Sequence, residues 1–203
     1  MQDDYRDERG FGLGFLDLPA EGVLSHSCAI FTSTNQGSLF TAENYLYADG
    51  ADGVRFGEWS FVACTYDGLT VSLYVDGELV STSGKQIGDI LYPAEDYSAK
   101  HSSSLLTLGA FHDQNDYFTV HGELDEAMIL DCAVTAEEIR AAAAGRSATL
   151  AMVDSRRECL MHFFRFNEEG GDLVVNEGRF EGVDGYIVDP LGSQVYRENS
   201  VLP

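Results

Sequence analysis

The stretch that decides the fold runs from residue 57 to residue 77 and reads GEWSFVACTYDGLTVSLYVDG. Apolar and polar side chains alternate along much of it, as they do along a β-strand with one buried face. Asp67–Gly68 and Asp76–Gly77 interrupt the alternation, and an Asp-Gly pair between two such runs is a strong signal of a tight hairpin turn. We therefore predict three consecutive antiparallel strands here, joined by two short turns.

Short runs of the same kind, separated by glycine-containing turns, fill most of the remaining chain. Many short strands with frequent turns are typical of a β-sandwich or a barrel. We read residues 83–104 as a long polar surface loop. The predicted strands are residues 11–18, 59–66, 69–75, 78–82, 105–110, 117–121, 123–130, 159–166, 173–175 and 186–188.

Helical signals are concentrated in one place. Thr135 and Glu138 have the spacing of a capping box, in which each side chain binds the other residue's backbone N–H. An alanine-rich run follows, and Gly145 is a natural stop. We predict one short helix at about residues 135–144 and read residues 147–157 as a connector without regular structure.

The charge of the chain narrows the classes of partner. Its 203 residues include 12 basic and 34 acidic side chains, for a net charge of −22. Such a field repels phosphate backbones and anionic membranes, and it suits cations such as Ca²⁺ or simple solubility. No apolar run approaches the roughly 20 residues of a membrane span, and the acidic start lacks the pattern of a signal peptide. We expect neither nucleic-acid binding nor a membrane span.

Five motifs together resemble a known family. In order, they read GEWSFVACTYDG (57–68), LYVDG (73–77), LTLG (106–109), GELDEAMILD (122–131) and AVTAEEI (133–139). Their order and spacing resemble laminin-G-like, concanavalin A-like jelly rolls, and pentraxins are similar in the same stretch. The resemblance implies an all-β fold of two antiparallel sheets packed as a jelly-roll sandwich. It also implies an extracellular or cell-surface setting.

The end of the chain looks like the beginning of this family. Residues 160–168 read LMHFFRFNE, which is similar to the family's first strand, and residues 176–185 are similar to the segment after it. Two arrangements are open. Residues 1–203 form one circularly permuted domain that the tail closes, or residues 1–146 form a domain and residues 158–203 begin a second repeat. We favour one domain, because the termini of a jelly roll lie close together.

An acidic segment raises the question of catalysis. The same fold carries glycoside hydrolases, and the nearest match to their acidic strand is Glu123-Leu124-Asp125-Glu126. On a strand, Glu123 and Asp125 share a face. A retaining mechanism needs two carboxyl groups roughly 5–5.5 Å apart, but the third position of the motif is Ala127, or Met128 after a bulge. We therefore expect no enzyme activity and keep a glycoside hydrolase as the disfavoured alternative.

Two places are candidates for Ca²⁺, which prefers six to eight oxygen ligands. The loop HDQND (112–116) lies where pentraxins carry a calcium loop, so the resemblance makes Asp113, Asn115 and Asp116 candidate ligands. A solvated turn explains the same residues. The resemblance also implies a second site that gathers Asp125, Glu168 and the backbone of residues 176–178, weakened because Asn167 replaces the family's usual aspartate.

The predictions for the cysteines and for the single tryptophan rest partly on the family resemblance. Cys28, Cys64, Cys132 and Cys159 allow three sets of two disulfides, or none. Cys64 faces the core by strand parity. In pentraxins the matching cysteine is bridged to the second strand, where this chain has Gly14. Cys28 could take the place of that partner only if its strand lies adjacent, and we expect a buried free thiol at Cys64. The resemblance also implies that Trp59 is buried.

For function, the resemblance favours a non-catalytic recognition or adhesion module that binds a glycan or a protein, with or without calcium. A structural domain of a larger complex, using its sheet faces as interfaces, is the second hypothesis. The sequence does not define an oligomeric state.

Overall fold

The computed structural model describes residues 10–20, 23–30, 45–48, 53–92, 106–112, 117–180 and 184–186. Within these ranges the chain forms short antiparallel strands and two helices. The strands are β1 (Phe11–Ala20), β2 (Val23–Ile30), β3 (Tyr45–Ala48), β4 (Val54–Arg55), β5 (Val62–Tyr66), β6 (Val71–Val75), β7 (Glu78–Ser83), β8 (Ala110–His112), β9 (Tyr117–Thr119), β10 (Ala127–Leu130), β11 (Leu160–Phe164), β12 (Leu173–Val174) and β13 (Gly185–Tyr186). The helices are α1 (Ala136–Ala142) and α2 (Arg146–Ser155).

The three predicted strands of the deciding stretch form one sheet in the order β5-β6-β7. Both Asp-Gly pairs form the turns. Asp67 Oδ1 accepts the N–H groups of Leu69 at 2.9 Å and Thr70 at 2.7 Å. Asp76 and Gly77 both have positive φ, 50° and 83°, as a type I′ turn requires. The hairpin prediction is therefore confirmed in sheet order and in turn chemistry.

A second sheet faces the first. In it β1 pairs with β2, and β2 pairs with both β3 and β4. β3 contacts β6 and β7, and buried Cys28, Val71 and Leu73 form a core cluster between the sheets. Burying an aliphatic side chain of this kind contributes roughly 1.5–3 kcal/mol, so this layer of contacts holds the two sheets together.

A disulfide between Cys28 of β2 and Cys64 of β5 crosses this core, with Cα atoms 6.3 Å apart. The prediction of a free thiol at Cys64 is therefore wrong. That prediction sought the partner at Gly14, which lies in β1 and corresponds to the family's second strand. Cys28 lies on the neighbouring strand β2, opposite Leu13, the residue before Gly14. The disulfide partner of Cys64 thus lies on β2 of the facing sheet, next to the strand on which the prediction sought it. Spacing along the chain does not reveal this.

The capping box forms as predicted, but α1 is not the only helix among the described residues. Thr135 Oγ1 accepts the N–H of Glu138, whose side chain accepts the N–H of Thr135. Residues 146–155 form α2, so the interpretation of residues 147–157 as an irregular connector is wrong. Thr149, Met152 and Val153 are the buried residues of α2, and they recur at helical spacing.

The strand predicted from the tail motif is present and pairs with β10. β11 runs antiparallel to β10, with Ala127 opposite Phe164 and Ile129 opposite His162. A second disulfide, Cys132–Cys159, joins the two segments between which α1 and α2 lie. A second core cluster packs the helices against β11; it consists of Ala142, Met152, Val153, Leu160 and Phe163.

Neither of the two helices in the described ranges is long and apolar enough to cross a bilayer.

Candidate functional site

The acidic segment before β10 is not part of the strand that was predicted over residues 123–130. β10 begins at Ala127 rather than at residue 123, and Glu126 has a left-handed backbone with φ 51°. Strand alternation therefore does not place Glu123 and Asp125 on one face, and that prediction is wrong. The acidic residues that have hydrolase-like spacing in the sequence therefore do not form a pair of carboxylates on one strand.

Glu126 is held by an arginine from α2. Its Oε1 lies 2.8 Å from Nε of Arg146, as an ion pair without hydrogen-bond alignment, and its side chain is 10% exposed. Burial raises the pKa of Glu126, and the charge of Arg146 opposes that rise. Arg146 Nη2 also donates to Asn167 Oδ1 at 3.2 Å. One guanidinium therefore joins the segment before β10, the start of α2 and the end of the tail motif.

The predicted ligands of the second calcium site already accept backbone hydrogen bonds. Asp125 Oδ1 accepts the N–H of Glu126 at 3.0 Å, and Glu168 Oε1 accepts the N–H of Val175 at 2.6 Å. The Arg146 guanidinium contacts Glu126 and Asn167, each one residue along the chain from a predicted ligand.

Across the described part of the chain, no three histidine, cysteine, aspartate or glutamate side chains cluster in a way that could hold a metal. The other predicted ligands, Asp113, Asn115 and Asp116, lie outside the described residues. Calcium therefore stays a prediction at both places.

Sequence reasoning missed the buried polar centre of the tail, Asn176. Its Oδ1 accepts the N–H groups of Phe163 at 2.9 Å and Gly178 at 3.0 Å. These two donors fix the orientation of the amide, so its Nδ2 donates to Phe180 O at 3.0 Å and lies 3.1 Å from Nδ1 of His162. One side chain thus ties β11 to the segment after β12. The signal in the sequence was an asparagine at an inward position of an alternating run.

His162 completes this centre. Its ring is stacked on Phe164, with centroids 5.9 Å apart and planes 6° apart, and it lies 5.6 Å from the ring of Phe180. Because Asn176 Nδ2 is a donor, Nδ1 of His162 has to accept, which places the ring proton on Nε2. Burial lowers the pKa of His162, so both the contact and the environment favour the neutral ring.

Trp59 is 47% exposed, so the prediction that it is buried is wrong. It follows a turn around Gly57, whose φ is 74°, and Phe56 on the other side of that turn is 51% exposed. The loop is anchored at its far end, where Phe61 and Asp76 exchange two hydrogen bonds of 2.9 Å and 2.7 Å. At this end of the loop Phe61 is partly buried and packs against the second core cluster, whereas Trp59 lies on the surface.

Comparison with known proteins identifies the family. A laminin G-like family model, described as the concanavalin A-like lectin/glucanases superfamily, matches residues 24–140, more than half of the chain. The chain belongs to this superfamily. The predicted family and the all-β antiparallel sandwich are thereby confirmed, with two helices in the described residues where one was predicted.

Individual relatives cover little of the chain or differ in sequence. Human pappalysin-1 is 51% identical over 37 residues, which are 18% of this chain and 2% of that protein. The crystal structure of an S-layer domain-containing protein from Clostridium thermocellum ATCC 27405 is 20% identical, with a TM-score of 0.35. That match covers 70% of this chain and 65% of the solved one, so the chain spans less than two thirds of either relative.

Proposed function

We propose that this concanavalin A-like domain is a non-catalytic recognition module that binds a glycan or a protein ligand. The observation that carries the proposal is the exposed pair Phe56 and Trp59 on an anchored loop. An aromatic face in water costs free energy that a ligand recovers by covering it, and the apolar face of a sugar ring or an apolar side chain can do so. The anchored backbone reduces the entropy lost on binding.

The arrangement of the acidic residues supports the absence of catalysis. Glu126, the buried carboxylate of the hydrolase-like segment, is paired with Arg146. Glu123 and Asp125 precede β10 instead of sharing one of its faces. A glycosidase needs two carboxyl groups on opposite sides of a scissile bond, and this segment presents no such pair on a strand.

We infer an extracellular or cell-surface location. All four cysteines lie in described residues, and they form two disulfides, Cys28–Cys64 and Cys132–Cys159. Disulfides persist in oxidising compartments and are rare in the cytosol. The pairing of every cysteine therefore supports export, and laminin G-like domains commonly serve there.

The proposal is tested with Trp59 itself, because it is the only tryptophan in the chain. A glycan array, run with and without a calcium chelator, identifies ligands, and titration of each hit is followed by tryptophan fluorescence. We expect a change in emission on binding and loss of binding in Trp59→Ala. Tyr92→Ala, which removes another exposed aromatic ring, is the matched control and should bind normally.

Each remaining outcome of this test is informative. Binding that disappears with the chelator supports calcium assistance, which we keep as part of the proposal. Hits that bind Trp59→Ala as well as the native chain contradict the assignment of the surface. A reducing-sugar assay on mixed polysaccharides that shows turnover would favour the glycoside hydrolase alternative.

A further inference from the structure

The segment after the acidic turn at residues 168–172 alternates strictly between inside and outside. Val174, Asn176 and Gly178 are buried, whereas Leu173, Val175 and Glu177 are exposed. This is the period of a strand with one face on the core. Its outer face begins with two aliphatic side chains, where a solvent-facing strand normally carries polar ones.

β13 extends this apolar face. Leu173 and Tyr186 are direct partners in the antiparallel pair β12–β13, so their side chains lie on the same side of the ladder. Tyr186 is 71% exposed, and Leu173 and Val175 are each about 40% exposed. These three side chains, which we call the β12–β13 face, form one apolar strip on the surface.

Acidic side chains border the strip. Residues 166–178 contain four carboxylates and no basic residue. Three of them, Glu169, Asp172 and Glu177, are exposed. Glu177 forms an ion pair, with its Oε2 3.7 Å from Nη1 of Arg165. A ligand that covers the strip therefore meets a negative rim.

We propose that the β12–β13 face docks a protein partner whose contacting segment is apolar in its centre and basic at its edges. The apolar strip supplies the area removed from water, and the acidic rim supplies steering and selection by charge. A second copy of this chain, with its net charge of −22, fits the rim poorly because like charges would face each other. The proposal goes beyond the recognition function above, because it rests on different residues.

The experiment uses two defined peptides, one with alternating leucine and lysine and one with alternating leucine and glutamate. Fluorescence anisotropy of the labelled peptides measures binding to the full chain. We expect the lysine peptide to bind, with affinity that falls as salt rises, and the glutamate peptide not to bind. In the double variant Leu173→Ser/Tyr186→Ser the affinity for the lysine peptide should fall by roughly tenfold.

Leu79→Ser is the matched control, because Leu79 is an exposed leucine on β7, a different sheet. If it weakens the lysine peptide as much as the double variant does, the attraction is general to the acidic chain and the proposal is wrong. Trp59→Ala should leave this binding unchanged, which separates failure here from failure of the proposed recognition function.

Two further outcomes would also overturn the proposal by assigning another occupant. Sedimentation that shows a dimer, lost in Tyr186→Ser, would assign the face to a second copy. Binding of the lysine peptide only after the chain is shortened to end at residue 186 would assign it to the chain's own later residues.

Discussion

Gly178 allows the segment after β12 to approach β11 closely. A Cβ on Gly178 would overlap the carbonyl oxygen of Met161 and lie 2.7 Å from Cα of His162. Both obstacles are backbone atoms of a paired strand, so neither can turn aside as a flexible side chain can.

We therefore expect Gly178→Ala to destabilise the fold by about 1–3 kcal/mol, the usual cost of overpacking. Urea denaturation followed by circular dichroism measures the change. Gly170→Ala is the matched control, because nothing lies within 4 Å of its added methyl group, and its free energy of unfolding should stay near that of the native chain. Equal effects of the two substitutions would contradict the close approach.

His162 should make stability depend on pH. Burial lowers its folded pKa below the unfolded value of 6.5, so the unfolded chain takes up the proton first as pH falls. Its contribution is therefore fully present above about pH 6.5 and is lost as pH falls towards the folded pKa. A proton on Nδ1 would also face the Nδ2 donor of Asn176.

Melting temperatures measured between about pH 8 and pH 5, roughly the range in which histidine changes charge, test this pH dependence. His162→Gln keeps an acceptor but does not titrate, and we expect a shallower decline towards acid than in the native chain. His121→Gln, at an exposed position, should keep the native slope. If the melting temperature of His162→Gln falls with pH as steeply as that of the native chain, acid destabilises the fold through other groups.

At this scale the sequence predicts local chemistry well and burial poorly. The turn roles of Asp67 and Asp76 follow from residue type and near neighbours, so they were predictable. The exposure of Trp59 and the pairing of Cys64 depend on residues far along the chain. Parity along a strand identifies a face, but it does not say which strand lies opposite it.

At the scale of elements, the sequence did not predict helix α2, for a physical reason. Small residues and only a few apolar ones give α2 a weak amphipathic pattern, and Gly145 before it marks a stop. The helix forms because tertiary contacts stabilise it, with Met152 and Val153 in the core cluster. Thr149 Oγ1 adds a buried hydrogen bond of 2.9 Å to Ala142 O, which ties α2 to α1.

Thr149→Val should therefore cost about 0.5–1.5 kcal/mol, the net value of one hydrogen bond, since valine keeps the shape of threonine. Thermal unfolding of the variant measures the change. Ser147→Ala, on an exposed position of the same helix, should change stability by less. A valine variant as stable as the native chain would show that packing alone orients α2.

At the scale of the whole molecule, the family resemblance anticipated the sandwich, and its two leading motifs lie in the consecutive hairpins of β5, β6 and β7. The tail was harder to interpret, since a first-strand motif at the end of a chain fits either closure of one domain or the start of another. The described structure pairs β11 with β10 and packs Leu160 and Phe163 into the cluster that holds α1 and α2. One domain closed by its tail remains our prediction for the chain.

The most direct test of this closure removes the tail. A chain that ends at residue 145 and carries Cys132→Ser lacks α2, β11 and the core side chains of both. The full chain with Cys132→Ser and Cys159→Ser is the control for loss of the disulfide alone. Calorimetry should show a cooperative melting transition for the control and none for the shortened chain. A cooperative transition in the shortened chain would show that residues 1–145 fold without the tail, and it would contradict the account.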